Sequence, residues 1–201
     1  MKLFYSPGAC SLSPHILLRE AGLSFTPVRV DLKTHKTEDG ADFYAISAKG
    51  YVPALQLDDG SMLTEGVAID LWIADQAPAA GLAPRDGMDR YRMIELLTFI
   101  ATELHKNMGG LFVPGLPDAT RAMITQRLTA RLGLIEQQLT GRTWLTGEQF
   151  TVADAYLFTV AGWAKWVKFD LSPWPQLGAY LARVAARPAV QAALKAEGLI
   201  K

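Results

Sequence analysis

The chain contains a single cysteine, Cys10, within Pro7-Gly8-Ala9-Cys10-Ser11-Leu12-Ser13. Pro7-Gly8 turns the backbone after a short apolar run, and a helical pattern begins around Ser11. The thiol therefore stands at the mouth of a helix. There it meets the positive end of the helix dipole and several unpaired N–H groups, which both favour thiolate. The alternative for a lone cysteine is a small buried core residue. Cys10 and Ser13 form a C-x-x-S pattern, and the chain has no second thiol to resolve a disulfide. Redox chemistry at Cys10 must then use a thiol from solution.

Two other stretches could handle a small peptide. Val52-Pro53 precedes the strand-like run Ala54-Leu55-Gln56-Leu57. Proline lacks the N–H of a central strand. A cis bond here would expose the Val52 backbone toward Cys10, where an extended peptide could pair as an added strand. An ordinary trans bond at a strand entry is the other reading. Thr64-Glu65-Gly66-Val67 marks a strand end and a helix start. Amides at such a start can hold a carboxylate, and Glu65 can hold an amine, which together describe an α-amino acid head group. Alternatively, Glu65 only complements the helix dipole.

Short alternating elements position these groups. Lys2–Tyr5 reads as a strand, Leu12–Gly22 as a helix closed by glycine, and Phe25–Val30 as a second strand. Thr37–Ser47 is a loop with one short helix. Asp58-Asp59-Gly60 between two apolar runs predicts a hairpin, and Glu65–Gln76 a third helix. Past Ala77–Gly87, which has a linker's composition, strand signals almost vanish.

Met88–Lys106 reads as one long helix with an apolar stripe at Met93, Leu97, Ile100 and Leu104. Ile124, Leu128, Leu132, Ile135 and Leu139 form a second stripe. Thr151–Val167 is apolar nearly all round, as a central buried helix must be. Its start, Thr151-Val152-Ala153-Asp154 after Phe150, reads as a capping box, which assigns Asp154 to folding rather than catalysis. Two shorter helices follow near Gln176–Arg187 and Ala189–Lys195, with Pro188 in a tolerated first-turn position.

Composition limits the function classes. The 201 residues carry 20 Lys+Arg against 20 Asp+Glu, and half are hydrophobic. Zero formal charge gives no electrostatic reason to bind nucleic acid or an acidic membrane. No Cys/His cluster has zinc spacing, and cysteine usage fits a reducing compartment. No export signal is visible, and Val152–Val167 is too short and too charged to span a bilayer.

In order and spacing, "MKLFYSPGACSLSPHI", "KGYVPALQLDDG", "MLTEGVAI", "IATELHK" and "FTVADAYLF" resemble the bacterial glutathione S-transferases, most closely the cysteine-containing beta class. The resemblance spans essentially the whole chain. It implies a thioredoxin-like α/β N-terminal domain (1–77), a linker (78–86) and an all-α helical domain (87–201). It implies a cytoplasmic homodimer with two active sites near the subunit boundary, no metal, and a role in detoxification. By resemblance, Cys10 lies beside the glutathione sulfur and can form a mixed disulfide with it. Val52, before a cis Pro53, pairs with the cysteinyl backbone. Glu65 and Gly66 hold the γ-glutamyl group. Thr98, Thr102, Glu103, His105 and Lys106 approach glutathione from the helical domain. The family pattern has a serine where Gly66 stands, a lysine where His35 stands and an asparagine where Thr98 stands. Thr98, Thr102 and His105, spaced by four and three, share one helix face.

The implied reaction is conjugation of the glutathione thiolate to a small hydrophobic electrophile. Thiolate formation needs hydrogen-bond donors: amides around Cys10 and Ser11, the Ser11 hydroxyl, and His105. Tyr5 is expected to pack rather than donate. The electrophile is expected between the domains, against Phe112 and Trp163. Two alternatives remain at this stage: a glutathione-dependent thiol–disulfide oxidoreductase or reductive dehalogenase acting through Cys10, and a non-catalytic binder of hydrophobic ligands.

Overall fold

A computed structural model describes all of residues 1–201. It divides into two compact units, Met1–Leu82 with Arg187–Lys201, and Ala83–Ala186. Grouping Arg187–Lys201 with the first unit differs from the helical-domain boundary expected from sequence. The reason is packing: helix α10 (Pro188–Ala196) lies against helix α1 (Leu12–Glu20). Arg187 also forks onto the Glu20 carboxylate at 2.6 and 2.9 Å.

The first unit is built on a five-stranded sheet in the order β3-β2-β1-β4-β5. The strands are β1 (Lys2–Tyr5), β2 (Thr26–Asp31), β3 (Lys36–Thr37), β4 (Ala54–Gln56) and β5 (Met62–Thr64). β1 and β2 are parallel, joined through α1; β4 is antiparallel to both β1 and β5. The expected Asp58-Asp59-Gly60 hairpin joins β4 to β5. The two-residue strand β3 was not expected from sequence; it is too short to show an alternating pattern. Helices α2 (Phe43–Ile46) and α3 (Gly66–Gln76) complete the unit with α1 and α10.

Period-two alternation separates the faces of the sheet. Phe4, Val30, Phe43, Val52 and Ala54 form one buried cluster, with the Phe4 and Phe43 rings 5.4 Å apart. Leu3 and Leu55, cross-strand partners, are fully buried on the opposite face. Helix α1 ends in a Schellman motif. Leu23 N–H bonds to Leu18 O at 3.0 Å and Gly22 N–H to Arg19 O at 3.2 Å, with Gly22 at φ +66° where a side chain would be strained.

The second unit is helical: α4 (Gly87–Phe99), α5 (Lys106–Gly110), α6 (Asp118–Leu139), α7 (Val152–Ala161), α8 (Ala164–Val167) and α9 (Pro175–Ala185). Both apolar stripes face inward: Met93, Leu97, Ile100 and Leu104, and Leu128, Leu132, Ile135 and Leu139, are all buried. Each such side chain contributes about 1.5–3 kcal/mol relative to exposure. The expected long helix is not uniform, because Ile100–His105 adopts π geometry between α4 and α5. The expected continuous helix to Val167 is broken at Gly162–Trp163.

Helix α7 begins at the predicted capping box. Asp154 is fully buried; it accepts from Thr151 N and Oγ1 at 2.7 and 2.8 Å, from Leu145 N at 2.9 Å and from Tyr180 Oη at 2.9 Å. Phe150 packs edge-on to Trp144. No helix is long and apolar enough to cross a membrane.

Candidate active site

Strand register brings the first group together. Phe4 pairs with Ala54, and Ala54 with Thr64, so the ends of β1, β4 and β5 lie side by side. Cys10 follows β1, Val52-Pro53 precedes β4, and Glu65-Gly66 follows β5. The Cys10 thiol donates to Val52 O at 3.2 Å, and the Val52–Pro53 bond is cis. A Cβ on Gly66 would lie 3.8 Å from Pro53 Cγ, an ordinary contact. Glycine is therefore not required there by space.

The loop carrying Cys10 is tightly held. Ser11 Oγ accepts from Ser6 N at 3.1 Å and donates to Ser6 O at 3.3 Å, and Ser11 is fully buried. This differs from the expectation that its hydroxyl serves a substrate sulfur, since the burial and both bonds turn it inward. The N–H groups of Ala9, Leu12 and Ser13 bond to Ser6, Ala9 and Cys10 carbonyls. Gly8, at φ +71°, donates its N–H to Glu197 Oε2 at 2.8 Å. Glu197 Oε1 meets His15 Nδ1, also at 2.8 Å.

Tyr5 packs edge-on to His15, and burial followed by the Glu197 charge raises its pKa above the ordinary tyrosine value. Both effects keep the phenol neutral. The thiol of Cys10 makes the Val52 contact only while protonated.

Segment 49–53 carries further polar groups. Lys49 Nζ donates to Glu65 Oε1 at 2.6 Å and to Thr64 Oγ1 at 3.1 Å. Glu65 adopts φ +72°, a conformation uncommon for a residue with a side chain. His35 Nδ1 lies 3.2 Å from Gly50 O, its Nε2 lies 3.3 Å from Tyr44 Oη, and its ring stacks at 4.5 Å on Tyr44. A Cβ on Gly50 would run into the Tyr44 ring, and Gly50 sits at φ +65°, a conformation that strains other residues.

The second group lies in the helical unit. His105 Nδ1 is 2.6 Å from Tyr156 Oη, and its ring packs edge-on to Trp163 at 4.9 Å. Trp163 in turn meets Phe112 at 6.0 Å. Burial, with a smaller push from Lys106, lowers the His105 pKa from 6.5 to about 4. The imidazole is therefore neutral near pH 7. Trp163 is 6% exposed and Phe112 47% exposed, so Phe112 presents the accessible edge of this aromatic wall.

The residues of the expected polar stripe each make local contacts. Thr98 and Thr102 are exposed, and their hydroxyls bond back to the carbonyls of Ile94 and Thr98. Glu103 pairs with Arg131 at 2.7 Å, and Lys106 is exposed. Asn107 Nδ2 donates to the Glu103 carbonyl at 2.7 Å within the turn that follows the π segment. π segments recur at functional sites. Sequence reasoning missed Lys49, Tyr156 and Glu197. Only Lys49, in the Lys-Gly-Tyr-Val-Pro run, carried a local signal.

The comparisons with known proteins bear on the whole chain. Residues 8–76 match the family model for the glutathione S-transferase N-terminal domain, and residues 117–188 match that for the C-terminal domain. The chain is 50% identical over 200 residues to glutathione S-transferase GstA of Escherichia coli O157:H7, covering 99% of this chain and 100% of that protein. A sphingomonad glutathione S-transferase solved in complex with glutathione is 50% identical, with TM-score 0.95 and full coverage of both chains. The beta-class enzyme of Sphingomonas chungbukensis is 51% identical, also with TM-score 0.95 and full coverage of both chains.

Proposed function

The chain belongs to the glutathione S-transferase family, and from that premise we propose how its own residues carry out glutathione conjugation. The observation that carries the proposal is the 3.2 Å contact between Cys10 Sγ and Val52 O. A tripeptide pairing through its cysteinyl residue with the Val52 backbone delivers its own sulfur beside Cys10. Glu65 takes the α-ammonium of the γ-glutamyl group, and the Gly66 amide takes its α-carboxylate. His35, tied to Gly50 and Tyr44, faces the glycyl end.

In this reading the attacking group is the glutathione thiolate. Cys10 turns its S–H from Val52 O toward that sulfur and donates to it, which stabilises the anion. Ser11 acts as a positioning residue, holding the turn through Ser6. Neutral His105, oriented by Tyr156, and the edge of Phe112 over Trp163 offer a polar point and an apolar wall to a hydrophobic electrophile.

The reading also includes a cytoplasmic homodimer. Tyr51 in the first unit is 70% exposed, and Met88 and Tyr91 in the second are 65% and 68% exposed, apolar surface that a second copy would cover. Light scattering should give twice the 22.0 kDa chain mass.

The decisive experiment combines glutathione titration with steady-state kinetics on a chloronitrobenzene substrate. Saturable conjugation supports the reading. Turnover of a mixed-disulfide substrate without conjugation would replace it by the oxidoreductase alternative, and apolar-ligand binding without either activity by the carrier alternative.

A further inference from the structure

We propose that Lys49 and Glu65 form a charge pair that reads the γ-glutamyl head group as a zwitterion, with Lys49 as a specificity-determining residue for its α-carboxylate. The inference rests on the glutathione reading above and assigns Lys49 a role at that site.

Stability does not account for the pair. Lys49 and Glu65 side chains are 50% and 71% exposed, and an ion pair in that setting adds little to stability. Glu65 moreover sits at φ +72°, a backbone conformation that costs stability for a residue with a side chain. Two unfavourable or neutral features at adjacent positions in space point to a ligand.

The donor count leaves room for one. An ammonium group has three N–H donors. Lys49 uses one on Glu65 Oε1 and one on Thr64 Oγ1, which orients the third away from both. The Glu65 carboxylate has about four lone-pair sites and retains acceptors for a second cation. An amino acid head group brings an ammonium and a carboxylate side by side. Laid against Lys49–Glu65 in the opposite sense, its ammonium meets Glu65 and its carboxylate meets the third Lys49 donor. The four charges then alternate in sign.

This arrangement selects as well as attracts. A ligand bringing only an ammonium to Glu65 would stand beside the Lys49 ammonium with nothing to offset the repulsion. A ligand bearing both groups cancels it. Lys49 thus discriminates γ-glutamyl peptides from simple amines.

The test uses glutathione and 4-aminobutanoyl-Cys-Gly, which lacks only the γ-glutamyl α-carboxylate. Dissociation constants are measured by calorimetry for the wild-type protein, Lys49→Met and Lys49→Arg. Lys49→Met should weaken glutathione roughly tenfold, as loss of one charge-assisted hydrogen bond predicts. It should leave the shortened analogue unchanged or more tightly bound, because the repulsion from Lys49 is removed, and Lys49→Arg should retain most glutathione affinity. An equal loss for both ligands would overturn the proposal, because Lys49 would then act only by holding Glu65. Unchanged glutathione affinity in Lys49→Met would overturn it while leaving the glutathione reading intact. A wild-type protein that binds no glutathione would overturn both.

Discussion

Gly8 and Glu197, 189 positions apart, are joined by a 2.8 Å hydrogen bond from the Gly8 amide to the Glu197 carboxylate. The same carboxylate meets His15 on α1. The loop that carries Cys10 is therefore anchored by the end of the chain, through a residue with 6% exposure.

Glu197→Ala should destabilise the first unit. It leaves the Gly8 N–H and His15 Nδ1 buried without that acceptor, at about 1–3 kcal/mol each. Thermal unfolding should shift down by roughly 5–10 °C for a chain of this length. Amide exchange at Gly8 should also accelerate. An unchanged midpoint would mean that the C-terminal segment does not hold the loop.

Asp154→Ala should cost more than an ordinary cap. Cap loss alone is about 1 kcal/mol, at most about 2. Here the Leu145 N–H and Tyr180 hydroxyl also lose their acceptor. The total should approach roughly 3–4 kcal/mol, seen as a lower unfolding midpoint and slower refolding. Normal stability with lost turnover would indicate a catalytic role instead.

His105 should make stability fall with acidification. Its pKa is lowered in the fold to about 4, mainly by burial, against an ordinary 6.5. Between those values the unfolded chain binds a proton that the folded chain does not. Stability is therefore lost as pH falls from 6.5 to 4 and levels off below, by on the order of 3 kcal/mol. Denaturant titrations across that range should show this slope in the wild type and a reduced one in His105→Gln. A slope independent of His105 would mean that burial does not suppress its protonation.

Legibility from sequence followed the range of each interaction. The capping box spans Thr151 to Asp154, and its three-residue spacing was visible in the chain. The β4–β5 hairpin was visible through Asp58-Asp59-Gly60, and the apolar stripes through their periodicity. Cys10 and Val52 could be connected only by the family resemblance, because their contact depends on how β1 pairs with β4. Glu197 was invisible, being a single glutamate just past a mostly apolar C-terminal helix, with partners at the other end of the chain. The π segment left no mark either, since Ile100 and Leu104 are spaced as an α stripe would be. Ser11 looked like a substrate donor because its type suits the task. Its bonds to Ser6 became apparent only in three dimensions.

Cys10→Ala should separate conjugation from disulfide chemistry. If the attacking sulfur belongs to glutathione, the variant keeps the backbone amides of the Cys10–Ser11 turn, the Val52 edge and the Ser6–Ser11 bonds that shape the loop. It loses only the S–H donor. Because the S–H is a weak donor, a hydrogen bond to the thiolate at the low end of about 1.5–3 kcal/mol corresponds to a fall in kcat/KM of roughly tenfold, with KM for glutathione little changed. The same substitution removes the chain's one thiol, so oxidised glutathione should leave no adduct by intact mass, whereas the wild type gains one. Both measurements should be made on the same samples, with glutathione binding as the control for folding. A stable, glutathione-binding variant that has lost conjugation as well as the adduct would make Cys10 an obligatory covalent catalyst. In that event Cys10 attacks an existing disulfide such as oxidised glutathione, the mixed disulfide forms as a glutathione thiolate leaves, and the oxidoreductase reading takes the place of conjugation.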